Sequence, residues 1–185
     1  NLPMPDYNPQ LASLVKAPPE GDDWVHEIKY DGYRIGCLLR RGDATLISRN
    51  GKDWTAAFPD IARAARSLRA EEALLDGEVA MVLPDGKTSF QALQSGGARV
   101  GATLVYFVFD LLRLDGERLE RLPLEERKDR LRRLLGRRAT GRLRYADHVE
   151  GSGRDFFDRA CRLAERGLVA ASDTRPVIWR SVHQA

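Results

Sequence analysis

The sequence predicts an α+β fold, one domain in which antiparallel sheets are flanked by helices. Three observations predict it. Runs with strand-like alternation or β-branched and aromatic enrichment recur, as in WVHEIKYDGYRIGCLLRRGDATLISRN and TLVYFVFDLLRLDGERL. Short turns rich in Gly and Asp separate neighbouring runs, which is the signal of hairpins. Segments such as FPDIARAARSLRA and PLEERKDRLRRLLG place apolar residues at helical spacing between those hairpins. At 185 residues the chain can build one good-sized core, and a hydrophobic share of 43% with a charged share of 31% describes a globular chain.

The elements follow in order. Residues 1–23, rich in Pro, Gly and Asp, read as an extended N-terminal arm with a helical turn around LASLVK; residues 24–185 form the domain. WVHEIKYDGYRIGCLLRRGDATLISRN gives two β runs turned at RRGDA. In FPDIARAARSLRA, Phe58, Ile61, Ala65 and Leu68 form one face of an amphipathic helix. ALLDGEVAMVLPDGKTSF is a second hairpin turned by Pro84-Asp85-Gly86, and FQALQ a short helix. TLVYFVFDLLRLDGERL is the most apolar stretch, a buried strand ending at an Asp-Gly turn. PLEERKDRLRRLLG carries Pro123 at its start, Glu125 and Glu126 in the first turn, late arginines and Gly136 as a stop, the punctuation of a helix. LRYADHV reads as a strand, and SGRDFFDRACRLAERG as a helix from Ser152 to Gly167. LVAASD and PVIWRSV read as closing strands.

Composition excludes several classes of protein. No apolar run of about 18 residues is present, so a membrane-spanning helix is not expected. The first residues lack the basic and apolar regions of a secretory signal. Cys37 and Cys161 stand far apart and without metal-ligand spacing to His26, His148 or His183, which argues for reduced thiols and against structural zinc. The net charge of +3 says little. Arginine outnumbers lysine, however, and RKDRLRRLLGRRATGRLR (127–144) is dense in it. Such a segment is either a solvated helix face or a phosphate-binding one.

Four short pieces could carry chemistry. In HEIKYDGYRIG (26–36), Lys29 lies between Glu27 and Asp31 on one strand face. An amine is a poor nucleophile while protonated, so a catalytic lysine needs partial burial or a neighbouring cation. Taken alone, K-Y-D-G reads first as a surface ion pair. SRNGKDW (48–54) sets Arg49 and Asn50 at a turn from which side chains can reach a phosphate or sugar. LLDGE (74–78) sets Glu78 where a carboxylate could hold a ribose hydroxyl or a magnesium ion. VYFVFDLL (105–112) offers Phe107 and Phe109 either as core residues or as a platform for a base.

Together, K-Y-D-G-Y-R, S-R-N-G, L-D-G-E and V-F-D-L-L, in this order, resemble the motifs of covalent nucleotidyltransferases. They are most similar to those of ATP-dependent DNA ligases, in particular the ligase domain of the bacterial end-joining ligase D. The likeness also takes in WVHEIK, SFQALQ and PLEERKDRLRRLL, roughly residues 3 to 170. The resemblance implies that Lys29 takes AMP from ATP as a phosphoramidate, and that AMP passes to a 5′-phosphate at a DNA break before the strand is joined. It implies that Glu27 and the Ile28 backbone read adenine, and that Arg34, Arg49 and Glu78 hold ribose and phosphate. Phe109, or alternatively Phe107, stacks on the base. Glu78 is the candidate ligand for Mg2+ (or Mn2+). The implied partners are nicked or broken DNA, other end-joining proteins and fused polymerase or nuclease domains, in DNA repair by non-homologous end joining. The implied setting is cytoplasmic, at the nucleoid, with no membrane.

The C-terminal part departs from the pattern. The family carries E-G-[IV]-V-A-K and then W-x-K-x-K. Here Arg166 and Ala171 replace the glutamate and the first lysine, and Ser181 and His183 follow Trp179 where lysines are expected. That part is therefore expected to be atypical or truncated, without the OB-fold that follows in the family, and nick sealing by this chain to be weak. A second reading is a catalytically degenerate ligase-like module that binds nucleotide or nucleic acid.

Overall fold

A computed structural model of the chain describes residues 7–10, 13–14, 19, 24–96, 101–136, 141–150, 167–171 and 178–181. The described residues form strands β1 (Ser13–Leu14), β2 (Val25–Ile28), β3 (Gly32–Arg40), β4 (Asp43–Ser48), β5 (Glu72–Val82), β6 (Thr103–Leu114), β7 (Glu117–Arg118), β8 (Leu143–Tyr145), β9 (His148–Glu150), β10 (Gly167–Ala171) and β11 (Ile178–Ser181). Helices α1 (Pro59–Ala65), α2 (Phe90–Gln94) and α3 (Leu124–Leu135) lie between them. The chain divides into two compact units, Asn1–Pro9 with Gly32–Tyr145, and Gln10–Asp31 with Ala146–Ala185.

The first unit is built on a sheet ordered β4-β3-β5-β6-β7, with β8 pairing β6. Its pairs are antiparallel except β6 with β8, which run parallel. A parallel neighbour needs a long crossover, and here the connection through β7 and α3 supplies it. The β3–β4 hairpin turns on Arg41 and Gly42, both with positive φ (51° and 78°). That is the backbone twist two-residue hairpin loops require, and it explains why a glycine stands there. The expected 73–90 hairpin is reduced. β5 is a full strand, but its return arm makes only an isolated bridge, Val82 to Thr88, before Ser89 caps α2 by accepting a hydrogen bond from the Ala92 amide.

Period two assigns the faces of this sheet. Ile35, Cys37 and Leu39 of β3, Leu75 and Val79 of β5, and Tyr106, Val108 and Leu111 of β6 pack into the main core with Ile61 of α1 and Leu131 of α3. Leu38, Ile47 and Leu74 face the other way and form a small second cluster with Tyr7. Tyr106 is fully buried, and its hydroxyl donates to the Ile35 carbonyl at 2.8 Å, tying β6 to β3 across the intervening β5. Gly77 permits this. A Cβ there would lie 2.4 Å from the Phe107 carbonyl oxygen and 2.5 Å from the Tyr106 ring.

The second unit is a sheet ordered β1-β11-β10-β2-β9, antiparallel except for β1 with β11. The expected helical turn around LASLVK does not form at its centre. Ser13 and Leu14 pair with Ile178 and Trp179, so this stretch completes a sheet edge, whose unpaired backbone groups outweigh a single helical turn. LRYADHV divides between the units, Leu143–Tyr145 joining β6 and His148–Glu150 joining β2. Residues 152–166 of the expected helix, together with Cys161, Arg166 and His183, lie outside the described residues, and Gly167, the expected helix terminator, opens β10.

Candidate functional site

Lys29 is not a strand residue. The alternation of HEIKYDGYRIG suggests one continuous strand, but pairing stops at Ile28, and residues 29–31 are a half-buried connection from one sheet to the other. The next strand opens at Gly32, where a Cβ would fall 2.0 Å from the Val79 carbonyl oxygen. Glycine is therefore fixed there by the close approach of β5, which gives the K-Y-D-G spacing a mechanical reason.

In the second unit, Glu27 is 8% exposed and sits mid-sheet, opposite Val169 of β10 and His148 of β9. Ile28 lies opposite Leu168. The segment GLVAA thus runs beside the strand that leads into Lys29. Ala171 pairs with Val25, and Ser181 of β11 pairs with Gly167. The sequence departs from the family's residue types here while the strand that carries them is kept.

In the first unit, the face turned away from the main core carries the remaining candidates. Arg34 and Glu78 are directly opposite each other on β3 and β5, and Phe107 is opposite Glu78 on β6. Arg34 is held from two sides. Its Nε donates to Asp76 Oδ1 at 2.6 Å and its Nη2 to Oδ2 at 2.7 Å, a bidentate pair. Its guanidinium carbon also lies 4.4 Å from the centre of the Phe109 ring. Burial works against the guanidinium charge, but Asp76, by charge and by hydrogen bonding, outweighs it, with Tyr7 and Glu78 adding to the effect. Arg34 is thus held cationic well above its ordinary range. Its side chain keeps 27% exposure, enough to meet a ligand.

Phe109 owes its place to a β-bulge. Asp76 pairs with Asp110 and Gly77 with Val108, leaving Phe109 as the extra residue of β6. Two α3 side chains secure the bulge. The Lys128 ammonium, 1% exposed, donates to the Phe109 carbonyl at 3.0 Å. Arg127 forms a bidentate pair with Asp110 at 2.9 and 3.0 Å. Burial raises the Asp110 carboxyl above its usual range, and Arg127 only partly opposes it. Tyr145 receives Lys128 and Arg132 against its ring, at 5.3 and 4.8 Å. These contacts give PLEERKDRLRRLL a structural role at Arg127 and Lys128.

Arg49 and Asn50 are exposed in a turn closed by the Gly51 amide on the Ser48 carbonyl (2.9 Å) and the Lys52 amide on Ser48 Oγ (3.1 Å). Sequence reasoning missed Asp76, Tyr7 and Lys128. Asp76 is visible in the sequence inside L-D-G-E, two residues before the carboxylate that the resemblance singles out; Tyr7 has no signal in a Pro- and Asp-rich arm. Among the described residues no group of three His, Cys, Asp or Glu is placed to enclose a metal ion. Glu78 alone fits magnesium only in the way that ion commonly binds, through one or two carboxylates plus substrate phosphates.

The first unit's mixed sheet, with helices α1–α3 and with Arg34 opposite Glu78 on one face, has the architecture of a nucleotidyltransferase domain. The family model described as the ATP-dependent DNA ligase domain matches residues 9–172, and the chain belongs to that family. The chain is 38% identical over 169 residues to the multifunctional non-homologous end joining protein LigD of Pseudomonas aeruginosa, covering 90% of this chain and 20% of that protein. It is 33% identical over 185 residues to a DNA ligase of Pyrobaculum calidifontis, covering 90% of this chain and 31% of that one. Among solved structures, the ligase domain of M. tuberculosis LigD superimposes with a TM-score of 0.74 at 26% identity, over 92% of this chain and 60% of that one. The chain therefore spans between a fifth and a third of these curated relatives' length. The degenerate-module reading is not favoured, because the family match runs through β10 and the relatives are named as ligases. No helix among the described residues is long and apolar enough to cross a membrane.

Proposed function

We propose that this chain performs the adenylation half of ATP-dependent DNA strand joining, with residues 24–185 as the catalytic domain and 1–23 as its arm. The Lys29 amine attacks the α-phosphate of ATP. A P–N bond forms, the P–O bond to pyrophosphate breaks, and the amine gives up a proton, leaving lysyl-AMP. AMP then passes to the 5′-phosphate of a DNA nick or end, and a 3′-hydroxyl displaces it. Arg34 and Arg49 hold phosphate and ribose, as cations placed where oxygen charge develops. Glu78 holds the ribose or, with the phosphates, Mg2+ (or Mn2+), which would supply further charge neutralisation. Glu27 and the Ile28 backbone read the base, and Phe109 or Phe107 stacks on it. Within a longer protein, polymerase or nuclease domains and other end-joining proteins act with this domain, in the cytoplasm at the nucleoid.

The observation that carries this reading is the pairing of Arg34 with Glu78 on one sheet face, in a chain whose Lys29 lies five residues before Arg34. Incubation with α-labelled ATP and magnesium, then denaturing electrophoresis, tests it. A label that survives denaturation, disappears in Lys29→Ala and exchanges out with pyrophosphate is the expected result. Absence of label at millimolar ATP overturns it, and labelling by GTP in place of ATP moves the reaction to a different nucleotide.

A further inference from the structure

Tyr7 lies far from every motif in the sequence, yet it is buried, at 7% exposure, against the polar face of the first unit's sheet. Its ring covers Gly36, where a Cβ would come within 2.8 Å of it. Its hydroxyl donates to Asp76 Oδ1 at 2.7 Å, the same oxygen that accepts from Arg34 Nε. Asp76 is 3% exposed, so its carboxylate depends on protein donors alone for its orientation. Among the described residues those donors are three: two from Arg34 and one from Tyr7. Arg34 is what the tether is meant to place, so among the described side chains Tyr7 is the one that fixes Asp76 independently of Arg34.

We infer that Tyr7 is a positioning residue for the adenylation reaction, its hydroxyl orienting Asp76 so that Asp76 aims Arg34. The inference rests on the reading of Arg34 as a cation that holds the nucleotide. Burial, and then the Asp76 charge, keep the phenol protonated well above its ordinary range, so it remains a donor at any pH of activity. The ring's packing and the hydroxyl's hydrogen bond are separable. Phenylalanine fills the space over Gly36 equally well but cannot donate. A residue that only fills space tolerates Tyr7→Phe; a residue that orients Asp76 does not.

The test measures lysyl-AMP formation by the full chain at saturating ATP, and ATP affinity, for Tyr7→Phe, Arg34→Gln and the double variant, well below each melting temperature. Tyr7→Phe is expected to lower the rate about tenfold, with a much smaller change in affinity, and to change nothing further once Arg34 is already Gln. A wild-type rate in Tyr7→Phe overturns the inference. So does a tenfold loss that persists in the Arg34→Gln background, since it then does not act through Arg34. If Arg34→Gln itself labels at the wild-type rate, the assignment of Arg34 fails and this inference falls with it. If Tyr7→Leu loses melting temperature while Tyr7→Phe keeps both temperature and rate, the ring alone matters and the hydroxyl has no role.

Discussion

The two faces of the first unit's sheet use the same strands for opposite ends. On the core face, Ile35, Cys37, Leu75, Val79 and Tyr106 are closed off from water, and their one prominent polar group, the Tyr106 hydroxyl, is used internally. On the other face, at alternate positions of β3 and β5, stand Arg34, Asp76 and Glu78, with Tyr7 and a few leucines between them. A strand pays no extra length for this division, because its side chains alternate by geometry. The comparison teaches that the core face sets where the backbone lies and the polar face inherits that placement. Perturbing one face should therefore move stability, and perturbing the other should move reaction rate.

The largest stability effect is expected where α3 grips β6. Arg127→Ala strands the Asp110 carboxylate in a mostly buried site and should cost roughly 4 kcal/mol in urea unfolding; a cost under 1 would mean that α3 docks by its leucines alone. Gly77→Ala drives a methyl into the Tyr106 ring and the Phe107 carbonyl, and should cost about 3 kcal/mol. If that variant kept full stability but lost activity, the separation of the faces would be broken. On the polar face, Arg34→Gln should slow lysyl-AMP formation about 100-fold, equivalent to about 2.7 kcal/mol of barrier. An unchanged rate would remove Arg34 from the reaction.

A smaller effect comes from Cys37, whose thiol burial pushes up to about 12. Its folded value lies above the unfolded one, so the associated stability is complete below pH 9 and is lost as pH rises towards 12. The loss should run at about 1.4 kcal/mol per pH unit over that window. Urea midpoints from pH 8 to 10 should fall less steeply in Cys37→Ala; parallel curves would show that the thiol is already reachable by water. The smallest effect belongs to the outer surface. Arg63→Ala breaks an exposed pair with Asp60 and should change stability by no more than about 0.5 kcal/mol by thermal melting.

Most strands were legible because alternation and turn chemistry agreed, as at Arg41-Gly42 and Asp115-Gly116. The α3 helix was legible from Pro123, its acidic first turn and Gly136. The motif residues Lys29, Arg34, Arg49 and Glu78 were legible as a set because their order resembles a family, not because any one pattern was unusual. Where Lys29 lies was not. The apolar positions change parity across Asp31-Gly32, from Ile28 and Tyr30 to Tyr33, Ile35 and Cys37. A one-residue phase change reads equally as a bulge in one strand, and it is the approach of β5 to Gly32 that ends one strand and begins another. Tyr7 was illegible for a related reason. Its partners, Gly36 and Asp76, are distant in sequence, and no local propensity signals a contact of that range.

The register irregularities of β6 have a consequence for what the gene can tolerate. Tyr106 and Val108 are even-numbered core residues, Leu111 is odd, and Leu114, packed against the same core, is even again. The bulge at Phe109 shifts the phase of the strand by one, and the second irregularity, opposite Leu74/Leu75, shifts it back. The two act as a frameshift and its suppressor, written in side-chain parity instead of codons. Inserting a single residue between Val108 and Leu111 should therefore invert Leu111 and Leu114 together, whereas deleting Phe109 removes the bulge and leaves Leu111 two positions after Val108, still on the core face.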